Sequence, residues 1–289
     1  MSALRSAHRF DAIGAPWQID TAEPLGDDVT TAIAERIEVF DRTYSRFRDD
    51  SLVARIAATP GVHSFPDDAG PLFELYRSLY EATDGAVSPL VGRALENLGY
   101  DRAYSLRPSA SAQPVPAWND SFAWNGRELS TVRPVTLDVG AAGKGYLVDI
   151  VGAVLRDFGI TDFVIDASGD LVHSGAGSLR IGLEHPLDPT KAIGIAQVSN
   201  GSLCASASNR RAWGDGLHHV IDALTGLPTR SIIATWAIAP TALLADGLAT
   251  ALFFTDQERL TAVCPFTYVR MYSTGRVDHS PDFEGELFV

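Results

Sequence analysis

Four short stretches of the chain combine residue types that could do chemistry. The first runs Leu137-Asp138-Val139-Gly140-Ala141-Ala142-Gly143-Lys144-Gly145-Tyr146. Small residues where a strand turns into a helix let the backbone approach a ligand, and the helix start offers unpaired N–H groups and the positive end of its dipole. Lys144 adds a full positive charge, so this turn could hold a phosphate; the alternative is a tight packing turn between strand and helix. It is not a P-loop. Gly140 to Lys144 leaves too few residues, and Gly145 stands where that loop carries its magnesium-binding Ser or Thr.

The second stretch is a helix starting near Thr241. Leu243, Leu244, Gly247, Leu248, Ala251 and Leu252 form its apolar stripe, and Asp246 and Thr250, four apart, share a line outside it. A carboxylate and a hydroxyl on one line are two hard oxygen ligands for Mg²⁺, to which a backbone carbonyl could add a third. The alternative is an exposed Asp beside a Thr bonded to its own helix. The third stretch, His218 to Gly226, sets His219 three residues before Asp222, a pair that could orient one another for proton transfer; a turn-capping Asp is the plainer reading. The fourth, Asp166-Ala167-Ser168-Gly169-Asp170, has two carboxylates whose separation sequence cannot give, so glycoside hydrolysis stays weak. No G-x-S-x-G, H-E-x-x-H or G-x-G-x-x-G motif occurs.

These residues need elements to position them. The first 24 residues read as a strand pair bent at Ile13-Gly14-Ala15-Pro16. Val29, Ile33, Ile37, Phe40 and Tyr44 predict an amphipathic helix over about 25–44. Arg46, Arg48, Asp49, Asp50 and Ser51 read as a polar cap before a short helix through Leu52 and Ile56. Another helix is expected from Asp67 to Thr83, stopped by Asp84-Gly85. Residues 105–133, with Pro108, Pro114 and Pro116, read as a long irregular connection. Then come a strand Val135–Val139, a turn Gly140–Gly145, a helix Tyr146–Phe158 closed by Gly159, a strand at Phe163-Val164-Ile165, and short strands between Leu179 and Leu203.

Composition bounds the rest. The 289 residues carry 23 Lys+Arg against 36 Asp+Glu, a net charge of −13, which argues against nucleic acid as a partner because phosphate neutralisation needs clustered basic residues. Cys204 and Cys264 are too few for a disulfide framework or zinc cage and read as buried small side chains. The N-terminal segment lacks the apolar run of roughly 7–15 residues of a secretory signal, so the chain reads as cytoplasmic. From Ser231 to Thr255 the only charge is Asp246, yet Pro240 breaks the run; a buried strand followed by a helix is expected rather than a membrane span.

Taken in order, these segments resemble the FAD:protein FMN transferase (ApbE) family. Its L-D-L-G-G-I-A-K-G-Y-A-V-D turn is matched by Leu137 to Asp149, its N-A-G-G-D by Asp166 to Asp170, its H-I-I-D-P-x-T-G-x-P by His219 to Pro228, and its D-A-x-A-T by Asp246 to Thr250. Ser45 through Leu52 is similar to S-x-x-x-x-x-S-x-L, and Thr83 through Pro89 to S-x-G-x-F-D-P. The resemblance implies an α+β fold of mixed sheets with packed helices, one domain over residues 1–289. It implies binding of FAD and Mg²⁺, and transfer of FMN to a Thr or Ser of an acceptor flavoprotein with release of AMP. By position, the Gly143 carbonyl, Asp246 and Thr250 would hold the metal. His219, oriented by Asp222, would stand near the acceptor hydroxyl, and Lys144 with Gly140 would meet the phosphates. Ile13, Phe47, Ala86, Val87, Ser88 and Tyr146 fall where the family lines its FAD site. The chain departs from the pattern at Ile13-Gly14-Ala15 for M-G-T, Val87-Ser88-Pro89 for F-D-P, Gly143-Lys144-Gly145 for A-K-G and Ile221-Asp222-Ala223 for I-D-P. Ser88 in place of Asp removes a flavin or adenine contact. Hydrolysis of FAD to FMN and AMP, and FAD binding without catalysis, are the rival readings.

Overall fold

The computed structural model describes residues 4–109 and 115–288. Its centre is an eight-stranded sheet in the spatial order β1 (Ser6–Ala12), β2 (Ala15–Thr21), β6 (Phe163–Asp166), β7 (Asp170–Ser174), β10 (Gly201–Ala207), β15 (Ile232–Ala239), β16 (Thr267–Tyr272) and β17 (Val277–His279). Every neighbouring pair is antiparallel. Two of its hairpins have tips that matter below. Ile13 (φ 46°) and Gly14 (φ 76°) form the expected bend, a two-residue turn of the kind that needs positive φ at both centres. Ser168 (φ 57°) and Gly169 (φ 101°) turn β6 into β7, and Ser168 Oγ donates to the Pro16 carbonyl at 2.8 Å, which ties the two tips together.

Helices cover this sheet: α1 (Asp27–Tyr44), α2 (Leu52–Ala58), α3 (Gly70–Ala82), α4 (Gly92–Asn97), α5 (Gly143–Asp157), α6 (Ala242–Ala251) and α7 (Gln257–Leu260). The predicted stripe of α1 is the buried one, through Val29, Ile33, Phe40 and Tyr44, with Ile37 at its edge. Asp84 (φ 52°) and Gly85 (φ 93°) end α3 in the left-handed conformation, as their types led one to expect. Thr241 caps α6, its hydroxyl accepting the Leu244 N–H at 3.3 Å. α6 packs on α5, α3, β10 and β15, so protein covers it on several sides.

Several expectations need correction. Val135–Val139 is extended but pairs in no ladder; instead Asp138 N donates to the Pro89 carbonyl at 2.8 Å. Helix α5 starts at Gly143, so Gly143, Lys144 and Gly145 occupy its first turn rather than a preceding loop. Residues 105–133 are more regular than their prolines suggest. β4 (Phe122–Trp124) and β5 (Glu128–Thr131) join β3 (Gly61–Ser64) in a three-stranded sheet that buries Phe122 and Leu129; residues 110–114, Pro114 among them, lie outside the described part. The expected short strands are β8 (Leu179–Glu184) and β9 (Ala192–Val198), joined by β18 (Gly285–Leu287). Two ribbons, β11 (Ala212–Trp213) with β12 (Leu217–His218) and β13 (Ile221–Asp222) with β14 (Leu227–Pro228), complete the strands. Both cysteines are free; Cys204 is buried as expected, Cys264 only half-buried. Among the described residues no helix is long and apolar enough to cross a membrane.

Candidate active site

A cavity of about 840 Å³ opens beside the two hairpin tips, lined by residues from Ile13 to Phe254. That volume falls in the range of sites that enclose a small-molecule ligand. One wall is the seam between α5 and α6. A Cβ at Gly145 would stand 2.1 Å from the Ala242 carbonyl oxygen and 2.7 Å from Asp246 Cβ, so only glycine lets the two helices approach this closely. The approach brings Gly145 N to 2.9 Å from Asp246 Oδ2, and one turn further along α6 Thr250 Oγ1 donates to the Ala141 carbonyl at 3.2 Å.

Asp246 is 6% exposed, not on an open face as its place off the apolar stripe suggested, because α6 is enclosed by its neighbours. Burial and the charge of Asp170 push its carboxyl well above the ordinary range, against the pull of Lys144 and the Gly145 N–H. Thr250 does not bond back to its own helix; it reaches across to the approach of α5. Gly143, buried at the start of α5, lines the same wall. Among the described residues no group of three or more His, Cys, Asp or Glu side chains gathers to hold a metal. A cation here would rest on one carboxylate, one hydroxyl and backbone carbonyls, a hard-oxygen donor set.

Lys144 lines the cavity, but its charge is engaged. Its Nζ lies 3.0 Å from Oδ2 of the fully buried Asp170 and donates to the Ala167 carbonyl at 2.7 Å. Burial opposes the ammonium charge, yet Asp170 and Asp246 outweigh it and hold the lysine above its usual pKa. The two acids of the fourth stretch therefore have separate duties. Asp170 anchors Lys144, while Asp166 accepts the Gly169 N–H at 3.0 Å and shapes the hairpin tip.

His219 lines the cavity, and its Nδ1 is buried with no hydrogen-bond partner. Burial, aided by the charges of Arg211 and His218, lowers its pKa to about 3, so it is neutral near pH 7. Asp222 does not orient it. A bend falls at His219, outside the two-residue strand that carries Asp222, and Asp222 Oδ1 instead accepts the Leu224 N–H at 2.8 Å. Ile13, Phe47, Val87, Ser88 and Gly140 all line the cavity. Ser88 Oγ also caps the short helical turn after it, accepting from Leu90 N at 3.2 Å. Ala86 and Tyr146 are placed elsewhere: the Ala86 carbonyl holds the Ala223 N–H at 3.0 Å, and Tyr146 donates its hydroxyl to the Asp68 carbonyl behind the wall.

Sequence reasoning missed Arg46, which read as part of a polar cap before a short helix. Arg46 is 5% exposed, with Nε 2.5 Å from Asp138 Oδ2 and its guanidinium 4.2 Å from the Phe47 ring and 4.9 Å from that of Tyr100. The available signal was Asp138 itself, a lone acid in an apolar run that must find a cation if the run is buried.

A family model described as the ApbE family matches residues 13–268. The chain belongs to the ApbE family. Among relatives, the FAD:protein FMN transferase of Klebsiella pneumoniae (strain 342) is 25% identical over 281 residues, covering 87% of this chain and 79% of that protein. The FAD:protein FMN transferase of Treponema pallidum (strain Nichols) is 28% identical over 246 residues, covering 75% and 68%. The ApbE protein of Thermotoga maritima superposes with a TM-score of 0.84 at 22% identity, over 96% of this chain and 97% of that one. The flavin transferase ApbE of Vibrio cholerae gives 0.78 at 20% identity, over 96% of each. The mixed helix-and-sheet architecture expected from the motifs is thus the ApbE fold.

Proposed function

We propose that this ApbE-family chain is a FAD:protein FMN transferase, which moves FMN from FAD to a Thr or Ser hydroxyl of an acceptor flavoprotein and releases AMP. The observation that carries the reading is the Gly145 N to Asp246 Oδ2 bond at 2.9 Å. It joins two motifs 101 residues apart on one cavity wall. The names of the relatives supply the reaction class. Because segments from residue 13 to residue 254 share the cavity, the same reading takes residues 1–289 as one domain.

In this reading the start of α5 directs the positive end of its dipole toward the pyrophosphate, while the N–H groups of Gly140, Ala141, Ala142, Gly143 and Gly145 are held by protein acceptors. Asp246, Thr250 and the backbone carbonyls of Ala141 and Gly143 fit Mg²⁺. The fit is that of a buried carboxylate beside a hydroxyl and a carbonyl already in contact, and its charge is balanced only in part by Lys144. When bound, Mg²⁺ would supply Lewis-acid neutralisation of the pyrophosphate charge. The acceptor hydroxyl oxygen forms a bond to the FMN phosphorus as the P–O bond to AMP breaks, and AMP leaves with that electron pair. The hydroxyl proton passes to His219 Nδ1, which the fold keeps neutral and unpartnered. An anionic ligand beside His219 raises its pKa from about 3 and improves it as a base. Lys144 remains with Asp170 and holds the hairpin tip against α5.

The test is incubation with FAD, Mg²⁺ and a flavoprotein acceptor. The expected result is flavin fluorescence that stays with the denatured acceptor in a gel, together with an equal amount of AMP. AMP released at the same rate with or without acceptor would make the chain a hydrolase instead. FAD recovered intact would make it a binding protein.

A further inference from the structure

Arg46 stands apart from the other cations of the cavity. Nη1 and Nη2 are both buried and have no hydrogen-bond partner, although the residue lines the cavity and is 5% exposed. Buried guanidinium donors are rarely left unmade, because their desolvation is costly. The remaining contacts say which way the unmade donors can bond. Nε is engaged by Asp138 at 2.5 Å, which fixes the guanidinium plane, and the rings of Phe47 and Tyr100 lie against the group at 4.2 and 4.9 Å. With rings against it, a guanidinium has its edge left, and its donors point in plane.

We propose that Arg46 reads the carbonyl edge of the flavin ring, donating from Nη1 and Nη2 to ring carbonyl oxygen at the aromatic end of the cavity. This rests on the flavin-transfer reading above. Three features favour a ring carbonyl. First, Arg46 and Asp138 form a charge-matched pair, so a neutral acceptor completes the site without leaving an uncompensated charge. Second, adenine has no carbonyl oxygen and its amino group is itself a donor, whereas the pyrimidine ring of a flavin carries two carbonyls. Third, the surroundings suit a planar heterocycle. Tyr104 stacks on Phe47 at 5.1 Å and 9°, and Tyr100 stacks on Trp213 at 5.5 Å and 23°. Tyr104 is 53% exposed, so it can yield to an entering ring. Arg211, the other guanidinium near Tyr100, is exposed to solvent, which screens its charge.

The experiment separates the two halves of FAD by measuring binding of riboflavin, which has no phosphate, and of AMP, which has no flavin. Arg46→Lys keeps the charge and loses the planar fork. The double variant Arg46→Gln with Asp138→Asn removes both charges, so no lone buried carboxylate threatens the fold. Riboflavin affinity should fall roughly 10- to 100-fold in both variants while AMP affinity changes less than about twofold. The visible absorption maximum of bound riboflavin, displaced by hydrogen bonds to its carbonyls, should return toward its value in water. Equal losses for riboflavin and AMP would point to a structural role, and a loss for AMP alone to a phosphate or adenine contact; either would overturn the proposal. So would unchanged riboflavin affinity in the variants, or riboflavin failing to bind the wild-type protein. Flavin transfer by the wild-type protein is read separately. Its absence would count against the transferase reading, while riboflavin binding still decides Arg46.

Discussion

The two ends of the cavity are built on opposite plans. At the α5–α6 end, helix backbones approach so closely that Gly145 has no room for a Cβ, and Asp246, Thr250 and Lys144 each make a hydrogen bond to protein. At the aromatic end, Phe47, Tyr100, Tyr104 and Trp213 come from loops and a two-stranded ribbon. Tyr104 and Leu106 there hold positive φ, at 48° and 51°, and Arg46 keeps two unmade donors. The first end is preorganised, which suits stabilisation of charge in phosphoryl transfer. The second has slack, which suits recognition of a large flat ligand that must enter and leave.

That contrast can be broken or sharpened by substitution. The largest effect is expected from Asp246→Asn, which keeps an acceptor for Gly145 N but removes the charge: transfer should fall on the order of a thousandfold in a fluorescence assay, with the fold intact by circular dichroism. Alanine is a poorer choice, since it would leave the Gly145 N–H buried and unpaired. Next is Gly145→Ala, whose methyl group must displace the Ala242 backbone. A loss of about 3 kcal/mol in denaturant unfolding is expected, and a variant as stable as the wild type would contradict the close seam.

His219→Gln should lower transfer about 100-fold and also change the response to acid. With a pKa of about 3 folded against 6.5 unfolded, the unfolded chain binds a proton between those values that the native protein does not. Stability is therefore lost as pH falls from about 6.5 toward 3, and the variant should lose less between pH 7 and 5. The smallest effect is at the slack end. Tyr104→Ala should cost no more than about 1 kcal/mol of stability, the worth of an exposed aromatic pair, while weakening riboflavin binding; a larger thermal destabilisation would mean that this end is as rigid as the other.

Much of the architecture was legible along the chain. The periods of α1, the Asp84-Gly85 stop and the start of a helix near Thr241 are local preferences, decided within a turn or two of backbone, and the structure keeps them. Residues 122–131 were not legible, because the central strand β5 pairs with residues 61–64 as well as with β4, and sequence next to Pro114 and Pro116 says nothing of a partner more than sixty residues away. At the site, the motifs located Asp246, Thr250, Gly143 and His219 at the cavity, but spacing misled for Asp222. Its carboxylate is taken by the Leu224 N–H in the turn that follows, a tertiary and turn detail that a separation of three does not show.

By itself, the sequence determined which residue types are present and in what order: a small-residue turn with a lysine, an Asp and Thr one helical turn apart, a His before a turn. Those follow from local geometry, because helix and turn periodicities depend on neighbours in the chain. The tertiary structure decided what each group faces. It enclosed Asp246 on a helix packed on several sides, committed Lys144 to Asp170, and made Arg46, read as part of a polar cap, a buried donor over two rings. Charge, burial and hydrogen bonding are set by whatever lies within a few ångströms, and here those neighbours come from segments more than a hundred residues away along the chain.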